Sequence, residues 1–221
     1  MSTLSVRTPS DTQVEVSRSF ASSLVLVWRA LTEPALVKRW LLGPPGWSMP
    51  VCESDFRVGG SYEYGWRSEA DGGEFGFVGE FREIEPHSKI AHTEGLREGS
   101  PGAEVVGGSL VTITFEEMGG ATTVVTTIEY PSKEARDAVL AQGMTDGMEM
   151  SYRHLDALLA EVPHEGGEEV REPDDRDDGE ARLAGVGAHA AAHLDAVADE
   201  APRRGQGRRE VAAPLPLHGE R

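Results

Sequence analysis

One cysteine, Cys52, occurs in 221 residues, which excludes an internal disulfide and any metal site built from several thiolates. Aromatic residues end at Tyr152, and from Pro163 onward Asp, Glu, Arg, Gly, Ala and Pro dominate. A segment of that composition buries too little apolar surface to offset the entropy of ordering it. Basic residues are scarce, at 21 Lys plus Arg against 38 Asp plus Glu, for a net charge of -17. Nucleic acids and anionic membranes are bound through fields of Lys and Arg, so neither is expected as a partner. No run is long and apolar enough to cross a bilayer, and no basic start followed by an apolar core opens the chain. A cytoplasmic protein is therefore expected. Neither GxSxG, CxxC nor HExxH is present.

What remains is organised as one domain over 12–162, preceded by a flexible stretch over 1–11 and followed by an acidic, Ala/Arg/Gly-rich tail over 163–221 that is expected to be disordered. The tail holds eight Arg and fourteen Asp plus Glu, so -6 of the charge lies there and -11 on the rest. DTQVEVSRSF alternates and predicts a strand over 12–20. Ser22 or Ser23 can cap a helix whose apolar positions are Leu24, Val27, Trp28 and Leu31. A second short helix follows in TEPALVKRW, with Pro34 in its first turn. Six strands are then predicted over 49–57, 61–68, 75–85, 88–94, 109–117 and 122–130, with a longer loop at 95–108. One long helix from Ser132 carries the stripe Ala135, Val139, Met144, Met148, Tyr152, Leu155, Leu159 and Val162. The fold class is α+β: a curved antiparallel sheet of about seven strands wrapped on one long C-terminal helix, with a cavity between them.

This order of elements resembles the START-like or SRPBCC superfamily of helix-grip proteins, and within it the branch named after the activator of the heat-shock-protein-90 ATPase. The similarity is carried, in order, by VWRALTEPALVKRW, GPPGWSMPVCESDFRVGGSYEYGWR, GFVGEFREIEPHSKIAHTE, GGATTVVTTIEYPSKEARDAVL and GMTDGMEMSYRHLDALL. It implies the helix-grip fold and a cavity for a small hydrophobic or aromatic molecule. The superfamily also contains aromatase/cyclases and co-chaperone domains, so it implies two alternatives: an enzyme of the cyclase/aromatase or hydrolase kind, and a protein-interaction module with a chaperone partner.

The candidate site is drawn from residues that share strand faces. Tyr62, Tyr64 and Trp66 lie on one face, and Phe75, Phe77 and Phe81 share another. They can wall a ligand cavity or form ordinary core. His92 and Glu94 share a face of KIAHTE and could act as general base and orienting partner, contact a ligand, or serve structure alone. Trp40 and Trp47 flank the loop LLGPPGW, either as a lid or as a seal on the core. Met144, Met148 and Tyr152 face the sheet from the long helix, beside Gly143 and Gly147, which allow close packing or room for a ligand. These twelve, Trp40, Trp47, Tyr62, Tyr64, Trp66, Phe77, Phe81, His92, Glu94, Met144, Met148 and Tyr152, form the expected ligand site. No catalytic residue, metal ligand or cofactor is assigned. Cys52 is expected as a half-buried apolar residue, and the pair His189 and His193 lacks further ligands.

Overall fold

Buried and half-exposed residues alternate strictly from Gln13 to Phe20, with Val14, Val16, Arg18 and Phe20 turned inward. A computed structural model of the chain describes residues 3–162. Its strands are β1 (Ser5–Arg7), β2 (Gln13–Phe20), β3 (Trp47–Ser54), β4 (Ser61–Ser68), β5 (Glu74–Glu85), β6 (Lys89–Glu98), β7 (Val105–Met118) and β8 (Ala121–Glu129). Helices α1 (Leu24–Thr32) and α2 (Pro34–Trp40) follow β2, while α3 (Lys133–Ala141) and α4 (Met144–Glu161) follow β8. The tail over 163–221, with His189 and His193, lies outside the described residues.

All eight strands form one antiparallel sheet in the order β1-β2-β8-β7-β6-β5-β4-β3. Its register shifts between Ser48 and Val51, between Phe81 and Glu83, and between Glu94 and Leu96. Extra residues on one strand of a pair bend and twist the sheet, which gives it a concave face. Packed against that face and against α1 and α2, α4 buries Met144, Met148, Ser151, Tyr152, Leu155, Leu158 and Leu159. Each large apolar side chain buried this way contributes about 1.5–3 kcal/mol relative to exposure.

One charge stands on this apolar surface. Arg18 points inward from β2, with Nη2 2.6 Å from Asp156 and 3.8 Å from Glu149, both on α4. Its guanidinium lies 5.3 Å from the Phe20 ring and 5.7 Å from Tyr152. Ion pairing and the two ring faces together accommodate the buried cation and tie α4 to β2.

The α+β helix-grip fold is as expected, with three corrections. An eighth strand, β1, arises within the stretch taken as a flexible lead and pairs with β2. The loop expected over 95–108 shortens to 99–104, because β6 runs to Glu98 and β7 begins at Val105. The single long helix is two helices. Gly143 adopts φ 86°, a left-handed conformation that costs other residues about 1–2 kcal/mol, and so ends α3 and opens α4. At the LLGPPGW loop, Trp66 Nε1 donates to the Leu41 carbonyl at 3.1 Å and Trp40 is fully buried.

Candidate functional site

Cross-strand register sets side chains in rows across the concave face. One row is Phe81, His92, Val111, Ile128 and Val14, from β5 to β2. All five are buried, so His92 sits inside apolar core. The next row begins with Tyr62 opposite Gly79 and continues through Glu94 to Ser109. Leu110 pairs with Glu129, so the following residue, Tyr130, extends that row past the end of β8.

Gly79 makes this second row possible. A Cβ built there would overlap the Thr93 carbonyl oxygen and lie 2.6 Å from Tyr62 Cε1. With no side chain in the way, Tyr62 reaches across β5. Its Oη lies 3.0 Å from His92 Nδ1, 3.2 Å from the Thr93 carbonyl and 3.3 Å from Glu94 Oε2. His92 Nδ1 is also 3.2 Å from the Thr93 carbonyl. A proton on Nδ1 serves that carbonyl and leaves the tyrosine hydroxyl to donate to Glu94.

Burial governs the protonation of all three. It pushes His92 down to about 4, opposed by the hydrogen bond to Thr93, so the imidazole is neutral at neutral pH. Burial drives Glu94 well above the usual carboxylate range, against the Tyr62 hydrogen bond that favours the anion. Tyr62 is raised by burial and then by the nearby Glu94 charge.

Glu94 opens onto a cavity of about 190 Å³. Phe77, Leu96 and Val106 line it from the sheet, Ala135 and Val139 from α3, and Met144 from the start of α4. Tyr130 and Pro131 close it between β8 and α3. The Tyr130 hydroxyl donates to Met144 Sδ at 3.1 Å, and burial followed by the Glu94 charge raises its pKa. The walls are apolar, with Glu94, Tyr130 and Ser109 as the polar side chains. Usual ligand pockets hold about 300–1,000 Å³, so this cavity is a small one. The α3 wall can give, since Arg136 is its only buried residue.

Of the twelve expected site residues, Phe77, Glu94 and Met144 line this cavity. Tyr62 and His92 stand behind Glu94 as its hydrogen-bonded support. The others pack elsewhere in the aromatic core. Trp40 stacks on Tyr152 at 6.2 Å and donates to the Ala30 carbonyl. Trp66 stacks on Phe75 at 5.2 Å, and Trp47 meets the same ring edge-on. Phe81 and Tyr64 each contact Tyr62, and Met148 is fully buried. Sequence reasoning passed over Leu96, Val106, Ser109, Tyr130 and Pro131. Ala135 and Val139 carried a signal, as members of the apolar stripe. Cys52 is buried beside Pro34, and burial pushes its thiol up to about 11, which leaves it unreactive.

The sequence profile of the Activator of Hsp90 ATPase homolog 1-like protein family matches residues 21–160. A crystal structure of a Rhodobacter sphaeroides protein is similar at 34% identity and TM-score 0.66, over 72% of this chain and 99% of that one. A Mycobacterium smegmatis protein is similar at 25% identity and TM-score 0.63, over 72% and 98%. The AHSA1 protein of Silicibacter pomeroyi, at 20% identity and TM-score 0.54 over 67% and 97%, shares the fold. No curated protein matches the chain.

Proposed function

Because the chain belongs to the Activator of Hsp90 ATPase homolog 1-like family, and carries a cavity between its C-terminal helices and the sheet, we propose that it binds a small hydrophobic or aromatic molecule there. The observation that carries this reading is the cavity itself: apolar walls from Phe77, Leu96, Val106, Val139 and Met144 around one buried carboxyl, Glu94. Apolar walls supply affinity, and a few placed polar groups fix orientation.

Binding fits better than acid–base catalysis. A general base must reach the proton it removes. His92 is fully buried behind Glu94, and its low pKa makes it a weak base. A chaperone partner needs an exposed apolar patch. Of the exposed Val105, Val106 and Leu110, Val106 lines the cavity, and we read it as part of the cavity rim.

Thermal unfolding against a panel of apolar and aromatic metabolites tests the proposal. A ligand at a hundred times its Kd stabilises by about 2.7 kcal/mol. Val139→Trp, which fills the cavity from α3, should abolish that shift. A panel without any stabilising compound would overturn the reading.

A further inference from the structure

Among the described residues, Glu94 is the one carboxylate in the cavity wall, and no lysine, arginine or histidine lines it. Aromatic and sulfur groups surround it, from Phe77, Tyr130 and Met144. Such π faces and polarizable groups accept organic cations. The charge outside the tail is -11, from 13 Lys plus Arg against 24 Asp plus Glu, which favours approach of cations over anions. We propose that Glu94 makes the cavity selective for an apolar or aromatic amine, bound as its ammonium ion against the carboxylate. This inference rests on the cavity being a ligand site.

The geometry provides for the rest of the ammonium. Ser109 and Tyr130 line the same cavity, and their hydroxyl oxygens can accept its remaining hydrogens. Behind Glu94 the Tyr62 hydroxyl lies 3.3 Å from Oε2, where it supports the anion. A ligand carboxylate would instead meet a second acid, with no cation in the wall to offset it.

Burial alone favours the protonated acid at Glu94. An entering ammonium reverses that preference. The Glu94 carboxylic acid passes its proton to solvent and becomes a carboxylate paired with the ammonium ion. The titratable groups around Glu94 are Tyr62 and Tyr64 on β4, His92 on β6, and Tyr130 after β8. Helices α3 and α4 contribute Ala135, Val139 and Met144, and β5 and β7 contribute Phe77 and Ser109, none of which titrates. The tyrosines are all raised and His92 is lowered, so Glu94 is the group whose proton leaves.

Calorimetric titration of the full chain with three probes of one shape tests this: 2-phenylethylamine, propylbenzene and 3-phenylpropionate. The amine should bind tightest and the carboxylate weakest, with the amine's advantage growing as pH rises. Titrations in two buffers of different ionisation enthalpy should show net proton release with the amine alone. In Glu94→Gln the ratio of amine to hydrocarbon affinity should fall roughly tenfold to a hundredfold, the worth of a charged hydrogen bond. The wild-type pH profile and proton release carry the test if that variant fails to fold. If propylbenzene binds as tightly as the amine, charge selection is wrong while the cavity stands as a ligand site. If none of the three binds, the cavity reading falls, and this inference with it.

Discussion

Gly79→Ala should be among the most damaging single-atom additions to this chain. The new methyl would overlap the Thr93 carbonyl oxygen, part of the β6 backbone, and come within 2.6 Å of Tyr62 Cε1. A flexible side chain could swing aside, but β6 is held by β5 and β7 on either side. Relief therefore requires the β5–β6 ladder to part and the Tyr62 ring to move away from Glu94. Overpacking in a well-filled core costs about 1–3 kcal/mol, occasionally more, and a clash with backbone belongs at the top of that range. For a domain of this size, about 3 kcal/mol lowers the melting temperature by roughly 10 °C. Gly108→Ala is the control, since a Cβ there meets nothing within 4 Å and should change stability by less than about 0.5 kcal/mol. Thermal unfolding followed by circular dichroism measures both. If Gly79→Ala melted within about 2 °C of wild type, the row through Gly79 would not be sterically closed and the reasoning would be refuted.

Tyr62→Phe removes the donor to Glu94 and should cost about 1–3 kcal/mol in urea unfolding. It should also raise the Glu94 pKa further, read from carboxyl carbon chemical shifts, because the Tyr62 hydrogen bond is what opposes burial. His92 and Glu94 should give pH–stability slopes of opposite sign. The His92 pKa is depressed from 6.5 to about 4 in the folded state, so its contribution is lost as pH falls through that window, by about 3 kcal/mol in all. Glu94 is raised in the folded state, so its contribution is present at low pH and lost as pH rises above its ordinary value of 4.5. Urea melts of His92→Gln between pH 4 and 7 should therefore lose stability with rising pH, and those of Glu94→Gln should gain it; equal slopes would contradict the assignment. Gly143→Ala should cost roughly 1 kcal/mol through its left-handed backbone alone, with Gly143→Asn intermediate, in thermal melts.

Strand faces were legible from the spacing of the large side chains by two along each strand, and Tyr62, Tyr64, Trp66, Phe77, Phe81, His92 and Glu94 are all buried. Parity cannot separate a residue that lines a cavity from one packed beneath it. That depends on which residues lie opposite across the sheet, and register is a long-range property decided by bulges and strand ends. The division of the last helix was within reach. Its apolar stripe steps by four from Ala135 to Val139 and from Met144 to Met148, but by five from Val139 to Met144, where Gly143 falls. A continuous helix keeps its stripe on steps of three and four, so a step of five beside a glycine marks a break.

His92 and Glu94 show what separates a buried site from a buried core residue. They lie two positions apart on the same strand and the same face, and both are nearly inaccessible. Their rows end differently. His92's row continues through Val111, Ile128 and Val14, all of them buried apolar core. Glu94's row reaches Ser109 as β8 finishes at Glu129. Beyond that point α3 lines the cavity with Ala135 and Val139, next to the register shift between Glu94 and Leu96. One strand ending a row early thus turns a carboxyl that would be a costly core defect into the polar wall of a cavity. One further residue of β8, Tyr130, would pair with Ser109, and a longer β8 would draw α3's start away from the sheet end. An insertion that lengthens β8 there should close the cavity, leave His92 in its present environment, and return Glu94 to the ordinary cost of a buried acid.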